Sequence, residues 1–234
     1  MMMILCFLIS IVSSVILLLW LLHLQKCEPY PRGEILIMLA WGFWSAFAVG
    51  LTFWLLDEIN VFEIISGSNR LLFVFFDNFL GAAIPEELVK YIIAVILIKR
   101  NALRDTKFHV AMCCSYVAIG FQIVEDILFA MDGTISTAIA RAVVPFHFTY
   151  GALMGVFLGR AMTTGKKHYR FLALFLPIMI HGIFDLLVGL VDFSDWFLLL
   201  LLIFYVLVLE LTGLMIVVIT IMSENIPKKS GELS

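Results

Sequence analysis

Apolar residues run along this chain in long blocks rather than in short alternations, and polar residues are gathered into brief pieces between them. The blocks cover residues 3–24, 34–56, 71–98, 108–130, 135–160, 171–190 and 196–222, each close to or beyond the roughly 20 residues that an α-helix needs to cross a bilayer. Segments this apolar must satisfy their own backbone hydrogen bonds in lipid, and a helix does so within one segment. The pattern therefore predicts an all-α bundle of about seven transmembrane spans, organised as one integral membrane domain over residues 1–234. The third block is too long for one untilted crossing and contains Pro85, so a break or re-entrant turn is expected near 81–85.

Composition agrees with the bilayer as main solvent: 63% of the 234 residues are hydrophobic and 14% charged, with a mean hydropathy of +1.09. Net charge is -3, and no basic tract interleaved with aromatics points to nucleic acid. Cys6, Cys113 and Cys114 fall within apolar blocks and only Cys27 lies in a loop, so neither a disulfide framework nor a paired-cysteine metal site is expected. The first block lacks the basic leader and small-residue cleavage site of a secretion signal and reads as a retained span.

Loop charge orients the spans, because Lys and Arg gather on the cytoplasmic side of short loops. Seven crossings put Lys26, Arg32, Lys99, Arg100, Arg104, Lys107, Arg160, Lys166, Lys167, Arg170, Lys228 and Lys229 on one side and only Arg70 on the other. The N-terminus is thus expected outside and the C-terminus in the cytoplasm.

Within the spans stand groups that cost at least ~2.5 kcal/mol each to insert near the bilayer centre. They are Glu86, Glu87 and Lys90 in the third span, Glu125 and Asp126 in the fourth, Arg141 and His147 in the fifth, and His181 and Asp185 in the sixth. At about 1.5 Å of rise per residue, Glu86, Glu87, Glu125, His147, His181 and Asp185 reach similar depths in the outer half of the membrane. His181 and Asp185 share a helix face, as do Phe121 and Glu125, and Glu86 and Lys90. The acids outnumber Lys90 and Arg141. In low dielectric such crowding must protonate a carboxylate, charge a histidine or recruit a cation.

Several readings stay open residue by residue. Glu86 and Glu87 either activate a water or cap a helix start after Pro85. His181, oriented by Asp185, transfers protons or stabilises an oxyanion, or is a packed hydrogen-bonding pair. Glu125 and His147 belong to the site or form an interhelical hydrogen bond. Lys90 supports the acids or simply pairs with them. Asp77, Asn78 and Asp126 read as solvated or capping groups at the outer rim, and Arg141 offsets the acids or snorkels outward. Glu86, Glu125, His147 and His181 also match the ligand types of one divalent zinc.

The motifs Glu86-Glu87-x-x-Lys90, Phe121-x-x-x-Glu125 and His181-x-x-x-Asp185, in this order on successive spans, resemble those of the PrsW family of intramembrane proteases. That family sits within a wider group that includes the CAAX prenyl endopeptidases. The stretch from Arg141 through Pro145 and His147 to Gly155, and the Glu28-Pro29-Tyr30-Pro31 loop, add to the resemblance. Glu125 stands where a CAAX peptidase is expected to carry histidine. The resemblance implies site-one cleavage of a single-pass membrane substrate such as an anti-sigma factor, near its extracytoplasmic side. Glu86, Glu87, Glu125, His147, His181 and Asp185 would form the catalytic set, with Lys90, Phe121 and Arg141 in support and metal-free or zinc chemistry both open. An ion- or proton-coupled transporter is the competing expectation, since buried acids and histidines also serve as relays. No inverted repeat supports it.

Overall fold

The computed structural model describes residues 2–25, 30–100, 106–132 and 134–226. Cys27, the Glu28-Pro29 half of the loop motif, and the loop cations Lys26, Arg104, Lys228 and Lys229 lie outside the described residues. The described residues are helical apart from short connections, and no strand is found among them. The helices are α1 (Met2–Leu24), α2 (Arg32–Glu58), α3 (Val61–Ser66), α4 (Arg70–Phe76), a π-helical segment (Asp77–Ala83), α5 (Ile84–Arg100), α6 (Lys107–Asp132), α7 (Ile135–Val143), α8 (Phe146–Thr164), α9 (Lys167–Leu190), a short 3-10 turn (Val191–Phe193) and α10 (Asp195–Glu224).

Six helical stretches are long and apolar enough to cross a membrane: Met2–Leu24, Arg32–Glu58, Lys107–Met131, Ile135–Thr164, Lys167–Phe193 and Asp195–Glu224. The remaining long pass, Arg70 to Arg100, is helical throughout but carries Asp77, Glu86, Glu87 and Lys90. It is long enough to span, and its charge alone sets it apart. The chain is therefore a multi-pass helical membrane protein.

One expected interruption takes a milder form, and one break was not expected. The α-helical ladder is interrupted just before Pro85, without a break in the helical pass. Instead the ladder loosens into a π-helical segment over Asp77–Ala83, whose exit is marked by the Ile84 amide bonding to the Phe79 carbonyl, five residues back. A widened turn leaves room for the proline ring, and Pro85 then sits in the first turn of α5, where its missing N–H is tolerated. The break lies in the fifth span, where Val144 is extended (φ -116, ψ 106) between α7 and α8. Pro145 explains it, because a proline disfavours helical geometry in the residue before it.

Helix α6 is the axis of the bundle and packs on α1, α2, α5, α8 and α10. Gly42 of α2 and Gly120 of α6 let two backbones meet: a Cβ on Gly42 would lie 2.0 Å from the Val117 carbonyl oxygen, and one on Gly120 2.1 Å from that of Leu39. Outward faces stay apolar, with Trp44, Leu36, Leu19 and Leu202 exposed, as expected of surfaces that meet lipid. At the end that carries the basic loop residues, Gln25 bonds the Tyr116 hydroxyl, and the Tyr30 hydroxyl donates to the His109 carbonyl (3.0 Å). Arg70 lies at the opposite end, over the Phe193 ring. Cys6, Cys113 and Cys114 are buried.

Candidate active site

The π-helical segment ends two residues short of Glu86, so its wider turn sets the direction in which α5 presents the two glutamates. Gly182 of α9 admits the Phe79 ring of this segment, which would lie 2.4 Å from a Cβ at that position. This close seat fixes α9, and His181 with it, against the start of α5. The extended Val144-Pro145 link likewise lets α8 begin afresh inside the protein, so that His147 enters from its first turn.

These three helix starts and faces deliver a compact group. One ligand atom each from Glu86, Glu87, His147 and His181, all buried, lie within 4.8 Å of one another. The Lys90 ammonium donates to Glu87 Oε1 (2.6 Å) and lies 2.8 Å from His147 Nδ1. An ammonium has donors only, so Nδ1 of His147 accepts and the ring proton stands on Nε2, which donates to Glu125 Oε2 (2.6 Å). His181 faces Glu87 Oε1 through Nδ1 (3.0 Å) and Asp185 Oδ2 through Nε2 (2.9 Å). The Phe121 ring lies beneath the Lys90 ammonium, 4.3 Å from it.

Every position singled out from the sequence as catalytic or supporting thus meets in this one region. The pairings differ from the expected ones in three respects. Lys90 binds Glu87, three residues away, more closely than Glu86, which stands at 3.9 Å. The tightest group of possible metal ligands contains Glu87 where the sequence suggested Glu125. Asp126, expected at a solvated rim, is fully buried. It accepts from Arg141 Nε (2.7 Å) and from the Ser14 hydroxyl (3.3 Å). Arg141 also donates to Glu125 (3.0 Å), so it offsets acids rather than snorkelling away. Asp77 and Asn78 are half-buried, with the Asn78 amide donating to its own helix at the Val74 carbonyl (2.7 Å).

Sequence reasoning passed over Gln122, Ser13, Ser14 and Tyr150. Gln122 donates to Ser14 (2.9 Å) and accepts from the Phe148 amide (3.2 Å), which ties the start of α8 to α6. Its polar side chain amid an apolar span, three residues before Glu125, was the available signal. Tyr150 stacks on His181 (ring centroids 5.0 Å apart) and meets His147 edge-on (5.9 Å). It stands three residues after His147 and so shares its helix face.

Oε2 of Glu86 and Oε2 of Glu87 are buried and have no hydrogen-bond partner among the described residues. Oε2 of Glu86 stands 3.9 Å from Lys90 Nζ, His147 Nε2 and His181 Nε2, too far for a hydrogen bond to any of them. Polar atoms at this separation are too far apart for a direct bond and near enough to share one water or one ion. Two imidazoles and two carboxylates with spare acceptor capacity also suit a divalent cation of zinc type, which binds N and O ligands at about 2.0–2.2 Å.

The family model of PrsW family intramembrane metalloproteases matches residues 30–211. This chain belongs to that family. Curated relatives agree: "Protease PrsW" of Geobacillus kaustophilus is 32% identical over 113 residues, 47% of this chain and 50% of that protein. The PrsW of Oceanobacillus iheyensis is 33% identical over 116 residues, 48% and 54% of the two chains. That of Clostridioides difficile is 24% identical over 189 residues, 76% and 77%. The match spans about half the length of the first two. No solved structure matches. The description of the PrsW family as metalloproteases accords with the buried Glu/His group. Kinship with the CAAX endopeptidases rests on the motif resemblance alone.

Proposed function

We propose that this chain is an intramembrane endopeptidase that makes the first cut in a single-pass membrane protein of the anti-sigma-factor kind. The observation that carries this reading is the buried group Glu86, Glu87, His147 and His181, assembled from three helices, with carboxylate oxygens that the protein itself leaves unbonded. An unmade hydrogen bond in a buried site costs about 1–3 kcal/mol, which a purely structural cluster would have no reason to bear. The relatives named above are proteases, and the cut is proposed on the extracytoplasmic side because the loop cations gather at the other end of the bundle.

In this reading Glu86 takes a proton from a water in the space beside its Oε2, and the water oxygen bonds to the scissile carbonyl carbon. The carbonyl becomes an oxyanion. Collapse of that tetrahedral species breaks the C–N bond, and the leaving amine receives the proton held by Glu86. His181, fixed through both nitrogens by Glu87 and Asp185, keeps its ring edge toward this space. Lys90 holds Glu87 and His147 in register, and Glu125 with Arg141 holds the far side of His147. A divalent metal, zinc by ligand type, would rest on Glu87, His147 and His181, each imidazole giving up one of its present side-chain partners for it, and it would supply a more acidic water and a polarised carbonyl.

The test is co-expression with a candidate single-pass substrate, comparing wild type with Glu86→Gln, Glu87→Gln and His181→Ala at equal protein levels. Wild type is expected to shorten the substrate and the variants to leave it intact. Variants that cut as wild type does would remove these residues from the chemistry. A panel of such substrates left whole by wild type would end the peptidase reading.

A further inference from the structure

Tyr150 is 1% exposed, and its hydroxyl has no hydrogen-bond partner among the described residues. Its ring lies flat on His181 and edge-on to His147, the two imidazoles whose own carboxylate partners are Asp185, Glu87 and Glu125. None of these carboxylates accepts its proton. A buried hydroxyl without a partner is costly, and beside such a group it is a donor held in reserve.

The other donor groups of the site already face partners within the protein. Lys90 donates to Glu87 and faces Nδ1 of His147. Arg141 is divided between Glu125 and Asp126. Nε2 of His147 is bonded to Glu125, and both nitrogens of His181 face carboxylates. A scissile carbonyl oxygen has lone pairs and no hydrogen, so it requires a donor, and the carboxylates that dominate the pocket would repel it as it gains charge.

We propose that Tyr150, resting on the peptidase reading above, donates the hydrogen bond that stabilises the carbonyl oxygen of the substrate as it becomes an oxyanion. The phenol keeps its proton throughout. It supplies a positive dipole where negative charge develops, while the water proton travels by way of Glu86.

Tyr150→Phe separates this role from a structural one. The hydroxyl makes no bond in the free protein, so its removal leaves the melting temperature of the detergent-solubilised full chain unchanged or slightly raised. With a single-pass substrate that wild type cuts, kcat falls about 100-fold while KM stays within about twofold. Affinity for a phosphinate peptide, whose tetrahedral oxygens imitate the oxyanion, falls by a similar factor, whereas affinity for the uncleaved substrate measured on Glu86→Gln does not. A Tyr150→Phe variant that cuts within about threefold of wild type overturns the role of Tyr150 and leaves the peptidase reading standing. So does a large drop in melting temperature together with undiminished phosphinate binding. Wild type that binds the peptide but cuts none of the substrates overturns both.

Discussion

Two ionic chains cross the same buried layer, and they are finished to different degrees. The chain Ser14, Asp126, Arg141 and Glu125 is closed: each oxygen of Asp126 has a donor, and Arg141 is shared between two acids. The chain Glu86, Glu87, Lys90, His147 and His181 is open, with one oxygen of each glutamate unbonded. Both carry the desolvation cost of burial, and only the closed one recovers it within the protein. On the proposed reading, the difference separates a brace, whose partners are all present, from a reacting group whose partner arrives from outside.

Substitutions can widen or erase this contrast. Glu86→Gln, the most severe, is expected to lower the cleavage rate about 10²–10⁴-fold while leaving the melting temperature nearly unchanged, as rate assays and thermal unfolding would show. Asp126→Ala should do the reverse. It frees part of the buried Arg141 charge and costs about 3 kcal/mol of stability, measured by denaturation in detergent, with cleavage per folded molecule much less affected. Zinc at about 100 times its dissociation constant should stabilise the wild type by about 2.7 kcal/mol, and this gain should vanish in His147→Ala; equal gains in both would place the ion elsewhere. Asp185→Asn should reduce the rate about 10- to 100-fold, as expected for a group that orients a ligand or a base. Ser14→Ala, at the edge of the brace, should cost about 1 kcal/mol or less.

The open chain was legible in the sequence because its members are costly in lipid and repeat at helical spacing. Glu86 with Lys90, and His181 with Asp185, announce themselves as charges on one face of an apolar helix. Depth counted from the ends of each block brought four helices to one layer without knowledge of their packing. The brace was less legible. Asp126 adjoins Glu125 and so points to another face, and nothing in its spacing says that Ser14 of α1 and Arg141 of α7 will meet it there. Tyr150 was hidden by its own chemistry, since an aromatic residue in an apolar span carries no insertion penalty that calls for an explanation. The break before Pro145 was not legible for a related reason. Pro85 and Pro145 look alike in sequence, but a helix tolerates proline in its first turn and fails at the residue before it. Which outcome occurs depends on where the preceding turn ends.

The π-helical segment at Asp77–Ala83 makes the direction of Glu86 and Glu87 depend on how the backbone before them is bonded as well as on which residues it holds. Bonds that reach five residues back take up about one extra residue per turn, and an α-helix advances about 100° per residue, so the same residues closed with bonds four residues back would swing everything downstream by about that angle. The re-closed helix would be the more regular of the two. Its glutamates and Lys90 would turn away from both histidines toward hydrocarbon, leaving a well-formed span with its acids aimed at the wrong neighbours.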